Sequence, residues 1–245
     1  MKKLFVLLGL VAGFSQTASA ADFTQLGTIG QANFRLLSED FGSALSYKPV
    51  TPAEPLGITG FDIGVEATTT DISKSGAVLK SATNGAVDVT RLIIPKLHIA
   101  KGLPFGIDVA AVISSVPSTN IKLVGGELRY AIIKGGLALP AVAIRAAMTS
   151  MTGVDELDFK TRSLDISISK GFLMFTPYAG VGQVWVTSTP KGTAASAPYN
   201  LVEESFTQSK AFVGVNMNLG LTNFALEGDT TGGASSASLK IGFRW

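Results

Sequence analysis

The strongest constraint in this chain is that its charges and its branched apolar residues keep to opposite parities. The last residues, "SLKIGFRW", show it most clearly: Leu239, Ile241, Phe243 and Trp245 alternate with Ser238, Lys240, Gly242 and Arg244. Successive side chains of a strand point to opposite faces, so this stretch has one apolar face and one polar face. The pattern recurs from about residue 57 onward, in ten segments: roughly 57–68, 90–100, 104–115, 121–132, 139–150, 159–170, 174–187, 206–219, 222–230 and 235–245. Each is near or above the roughly 9–11 residues that a tilted strand needs to cross hydrocarbon.

With the apolar phase taken as outward, the opposite phase collects Asp62, Glu66, Lys96, His98, Asp108, Glu127, Arg129, Arg145, Asp165, Gln183, Glu227, Asp229, Lys240 and Arg244. No charge falls mid-segment on the apolar face, and Lys101, Lys122, Lys160 and Arg162 share that phase only near segment ends. An Arg or Lys at the middle of a bilayer costs about 2–4 kcal/mol, which gives the segregation a physical cause. The same phasing makes Tyr178, Val184 and Val186 outward and Trp185 lumenal, and it makes Phe105, Tyr130, Tyr178 and Trp245 candidates for an interfacial aromatic girdle.

Composition decides how such strands must close. The chain has no cysteine, which excludes disulfides and thiolate metal sites, and phosphate-loop, dinucleotide, zinc and calcium signatures are absent. No cofactor is expected. Mean hydropathy is positive, yet past residue 20 the most apolar stretch, "YAIIKGGLALPAVAIRAAM", is broken by Lys134, Gly135, Gly136, Pro140 and Arg145. A chain without helical spans enters lipid only as a closed barrel, because hydrocarbon leaves no unpaired strand edge tolerable.

Residues 1–20 read as a cleaved signal peptide, with Lys2 and Lys3, the apolar "LFVLLGLVAGF" and a small-residue site at Ala18-Ser19-Ala20. The chain has 20 Lys+Arg and 18 Asp+Glu; without the two leader lysines the charges balance. Nothing supports a nucleic-acid partner. Connections alternate between tight turns ("AKGLP", "KGGLAL", "KGFLM", "NLGLT") and a polar, mostly longer set (69–89, "VPSTN", "MTGVDELD", 188–205, "TTGGASS"). With an even strand count this puts both ends of the barrel, and both chain termini, at the tight-turn mouth, facing the periplasm.

Residues 57–245 thus resemble a bacterial outer-membrane β-barrel: all-β, antiparallel, up-and-down and transmembrane, with about ten strands and a short N-terminal helix. The terminal "LKIGFRW" is similar to the C-terminal signal strand of that superfamily. The resemblance implies integral insertion in the bacterial outer membrane, with its lipid and the barrel-assembly machinery as partners. It also implies that Leu239, Ile241, Phe243 and Trp245 form the assembly signal.

Residues 21–56 stand apart. In "GQANFRLLSEDFGSALSY" a helical stripe carries Phe34, Leu37, Phe41, Ala44 and Leu45, and "KPVTPAEP" forbids its continuation. Two placements stay open: a helix at the periplasmic mouth, or a plug in the lumen. Four functional readings follow. The first is a non-catalytic narrow pore or envelope structural protein, its lumen charges forming salt bridges or an ion-selecting constriction. In the closing seam Arg244 is expected near Asp62, and Lys240 near Glu66 with Glu227 beyond. The second is a transporter or binder of small apolar compounds gated by the helix. The third is a barrel hydrolase in which Asp108 orients His98 as a base. The fourth is a soluble barrel with an apolar pocket.

Overall fold

The structure is a computed structural model and describes residues 23–116, 120–196 and 198–245; the proposed signal peptide and cleavage site lie outside these. Ten antiparallel strands close into a barrel: β1 (Phe61–Asp71), β2 (Arg91–Gly102), β3 (Ile107–Ser115), β4 (Lys122–Lys134) and β5 (Ala141–Thr152), then β6 (Leu157–Ser169), β7 (Phe175–Pro190), β8 (Glu204–Leu219), β9 (Thr222–Thr231) and β10 (Ala234–Arg244). Each pairs with its sequence neighbours, and β10 pairs with β1, so no edge remains. At the closure Phe61 and Trp245 exchange two backbone hydrogen bonds (2.9 and 3.1 Å), and their rings stack at 5.1 Å.

Turn chemistry sets the connections. Leu103–Gly106, 135–140, 170–174 and 220–221 close one end; the other end carries 72–90 and 191–203 together with three short links. The expected alternation of length therefore holds only in part. The ninth connection is the two-residue turn Gly232-Gly233, with φ of +59° and +88°, the pair of positive angles that a tight hairpin of matching twist requires.

The outer surface is divided by height. Toward the tight turns the outward residues are Phe61, Ile63, Ile99, Leu128, Tyr130, Ile144, Ile166, Ile168, Val213, Phe243 and Trp245. The turn tips continue this belt, with Phe105, Leu137 and Leu173 exposed. Toward the long connections the outward residues become Thr69, Ser115, Ser150, Lys160, Arg162, Thr207, Ser209 and Thr230.

One strand reverses its expected phase. In β7, Tyr178, Val184 and Val186 point inward and are buried, whereas Trp185 is 45% exposed on the outside and Gln183 lies beside it in phase. Tyr178 therefore leaves the girdle and Trp185 leaves the lumen. The cause lies inside the barrel. Helix α1 (Gln31–Leu45) runs within the lumen, and β7 supplies part of its apolar floor. Gly30 precedes it with φ +78°, and Pro49 follows shortly after its end, where it cannot extend the helix. A second short helix, α2 (Gly76–Ala82), lies in the first long connection.

Candidate functional site

The site is the lumen, and its contents change along the axis. At the long-connection end, Phe34, Leu37, Phe41 and Leu45 of α1 pack with Ile72, Leu79, Ile94, Leu123, Phe159, Val184 and Val186 in one buried cluster. Phe41 sits edge-on between Phe23 (6.0 Å) and Phe159 (6.1 Å). Gly42 lets the helix approach the wall: a Cβ there would lie 2.8 Å from Val186 Cγ2 and 2.5 Å from Gln208 Oε1. Polar contacts surround this core. Asp40 accepts hydrogen bonds from the Ser75 N–H (2.9 Å) and Oγ (2.7 Å), tying α1 to the start of α2. Burial raises the Asp40 carboxyl above its ordinary range, and the Ser75 bonds oppose that shift. Arg35 meets Glu204 at 3.1 Å and lies 4.0 Å over the Phe206 ring.

Below the helix, residues 46–56 descend as extended chain, and the wall holds this stretch largely through charged side chains. Lys210 donates to the Tyr47 carbonyl (2.8 Å), and Lys48 reaches Asp229 (2.6 Å). Glu227 accepts from the Val50 N–H (2.9 Å), where φ is +44°, a costly angle for a β-branched residue. Arg129 donates to Thr51 Oγ1 (2.8 Å) and the Pro52 carbonyl (2.6 Å) while also bonding Asp108 (2.6 Å). Asp108 in turn accepts from the Leu56 N–H (3.1 Å). A further set joins wall to wall: Lys240 to Asp62 (2.8 Å), Lys96 to Glu66 (2.5 Å), and Arg145 to Glu127 (2.9 Å) and Asp165 (3.1 Å).

The thirteen charged or histidine positions of the lumen phase all face inward, but three expected neighbourhoods are corrected. His98 stands opposite Gly64 and Val112, not Asp108, because the turn at Leu103–Gly106 sets Gly102 against Asp108. Asp108 is spent on Arg129, and neither ring nitrogen of His98 has a hydrogen-bond partner. The proposed His98/Asp108 base is not assembled. In the seam, the backbone register is Asp62↔Arg244 and Glu66↔Lys240. The Lys240 ammonium nevertheless crosses diagonally to Asp62, which also lies 4.0 Å from Arg244, while Glu66 turns to Lys96 on the other neighbour. Glu227 faces Ser238, and Lys240 faces Ala225.

The third correction concerns the chain ends. The Gln25 N–H bonds the Ala82 carbonyl in the first long connection, and Gln31 contacts Val202 and Glu204 in and beside the 191–203 connection. Trp245 lies at the tight-turn end. The N-terminal part of the described chain and the C-terminus thus occupy opposite mouths, with residues 31–60 running between them. Sequence reasoning missed Lys48, Thr51 and Lys210 as lumen contacts. Lys210 shares the phase of Asn216 and was accessible by parity; nothing local marks Lys48 or Thr51.

No family model matches the chain, and no curated protein matches it. Among solved structures it is similar to the translocator domain of the autotransporter NalP from Neisseria meningitidis (14% identity, 94% of this chain, 100% of that one, TM-score 0.38). It is also similar to the N-terminal β-barrel domain of Pseudomonas aeruginosa OprF (15% identity, 77% and 99%, TM-score 0.36) and to the KdgM porin (8% identity, 74% and 98%, TM-score 0.38).

Proposed function

We propose that this chain is a non-catalytic integral barrel of the bacterial outer membrane whose lumen is closed at rest by its own residues 31–56. The observation that carries this reading is the continuity of the filling: an amphipathic helix at one mouth, then a backbone gripped by Lys210, Glu227, Arg129 and Asp108 down to the other. The outward belt, with its aromatic lower rim, favours lipid as the surrounding solvent, and the barrel's closure satisfies the strand edges that lipid would leave unpaired. In this reading the tight turns face the periplasm, the long connections face outward, and Leu239, Ile241, Phe243 and Trp245 are read by the assembly machinery.

A planar-bilayer recording tests it. The purified protein should show no steady conductance, whereas a form lacking residues 31–56 that still gives a heat-modifiable band should conduct. A steady open channel in the intact protein would overturn the closed-lumen reading.

A second reading makes the segment a gate for small solutes or apolar compounds. It is favoured by the strained Val50, held by a single side-chain bond, which marks a stretch with a stored preference for moving. Glu227→Gln should then raise the frequency of brief openings, and an unchanged silent trace would count against gating.

A further inference from the structure

We propose that the outer wall between β4 and β9 binds a phosphorylated, multi-acyl glycolipid of the outer leaflet; the proposal rests on the membrane reading above. Three cations project outward where the apolar belt gives way to polar surface: Lys122 on β4, and Lys160 and Arg162 on β6. Lys160 shares Asp158 with Lys191 (2.9 and 3.3 Å). Among the described residues, Lys122 and Arg162 have no acidic partner, so the patch keeps excess positive charge facing the headgroup region. Outward positions at comparable height elsewhere are largely Ser and Thr, including Thr207 and Ser235, and the outward Arg91 at the end of β2 stands opposite Asp71. The charge is therefore concentrated on one sector.

The wall below this patch is not smooth. Arg162 has Trp185 as its cross-strand neighbour, and the next row toward the turns is Leu164, Gln183 and Ser209. Under that row lies a trough of about 670 Å³, lined by Ile144, Leu164, Ile166, Val181, Gln183 and Ala211 among others. Its floor is low at Ala211 on β8, which presents only a methyl group outward between Val181 on β7 and Thr230 on β9. Gln183 is the unexpected member, an amide at a lipid-facing position. An acyl chain fits the trough, and its ester or amide linkage lies at the height of Gln183. The phosphates then lie against Arg162 and Lys122, where charge-assisted bonds to phosphate oxygens are strong. The site's height on the long-connection side selects the outer leaflet, and with it the glycolipid over a glycerophospholipid.

Native mass spectrometry of the protein in mild detergent tests this, using a diphosphoryl glycolipid, its dephosphorylated form and phosphatidylglycerol as probes. All variants are first checked for the heat-modifiable band. The diphosphoryl form should bind with one-to-one stoichiometry, and Lys122→Gln and Arg162→Gln should each weaken it about fivefold. Ala211→Phe, which fills the trough without touching charge, should also weaken it, while Lys80→Gln, in the long connection, should not. Equal retention by the wild type and Lys122→Gln/Arg162→Gln overturns the proposal. So does equal binding of phosphatidylglycerol, which would reduce the patch to diffuse attraction, or of the dephosphorylated form. A protein that stays soluble without detergent would instead defeat the membrane reading on which the proposal rests.

Discussion

The two halves of the lumen are filled by different physics. The upper half is built like the core of a soluble protein: Phe34, Leu37 and Phe41 of α1 meet Phe159, Val184 and Val186 of the wall, and removal of apolar surface from water stabilises the contact. In the lower half, charged wall groups meet the backbone of an extended segment, and much of the stabilisation depends on every charge having its partner. Cores tolerate a lost contact at the cost of a cavity. A buried ion left unpaired carries a desolvation penalty that its former partner offset. The lower half should therefore be less forgiving, residue for residue.

The largest effect is expected where one cation serves two acids. Arg145 stands between Glu127 and Asp165, all three buried. Arg145→Met leaves two carboxylates facing one another, and breaking one such buried pair already costs about 3–5 kcal/mol. The folded band on a heat-modifiability gel should disappear at a much lower temperature than in the wild type. If Arg145→Met is no worse than a conservative core change, the lower lumen is wet enough to screen its charges and the contrast between the halves fails.

Phe41→Ala tests the upper half. The ring has two edge-on aromatic neighbours, and deleting a buried Phe side chain costs about 3–5 kcal/mol, with the lower end expected here because α1 can shift into the space. The two halves predict different failures. Phe41→Ala should expose the N-terminal segment to protease while the barrel keeps its heat-modifiable band, since no strand pairing depends on that ring. Simultaneous loss of both would show that plug and wall form one cooperative unit.

How much of this was legible in the sequence depended on what lay on each side of a strand. β10 read correctly because its outward face meets one environment and its inward face, Ser236, Ser238 and Lys240, meets another. β7 misled because both of its faces carry apolar residues: Val181 and Trp185 on the exposed outer surface, and Val184 and Val186 against α1. Parity then loses its meaning in mid-strand, and Gln183, the one amide of β7, points outward against the rule. The helix itself was readable from its stripe, but its position was not, because an amphipathic helix states that it needs an apolar surface without stating which one. The charged half shows the same limit at finer scale. Parity assigned Asp62, Glu66, Lys240 and Arg244 to one face and pairing assigned their rows, yet a long ammonium can choose the diagonal acid over the facing one.

That choice supplies the last and smallest test. Lys240 lies opposite Glu66 in the backbone register, but its ammonium is 2.8 Å from Asp62, while Glu66 is held by Lys96 at 2.5 Å. Two double-mutant cycles separate register from contact, read as shifts in the temperature at which the folded band is lost. Lys240→Met combined with Asp62→Asn should show a coupling of about 0.5–3 kcal/mol, the range for partners in one salt-bridge network. Lys240→Met combined with Glu66→Gln should be nearly additive, within about 0.5 kcal/mol, because each single change breaks a different pair. Arg244 works against a clean result, since it lies 4.0 Å from Asp62 and takes over part of the lost attraction when Lys240 is removed, which pulls the first coupling toward the low end. The order of the two couplings is still fixed by the geometry. If the Glu66 cycle couples more strongly than the Asp62 cycle, the ammonium follows the strand register after all, and the diagonal pair at the barrel's closure is wrong.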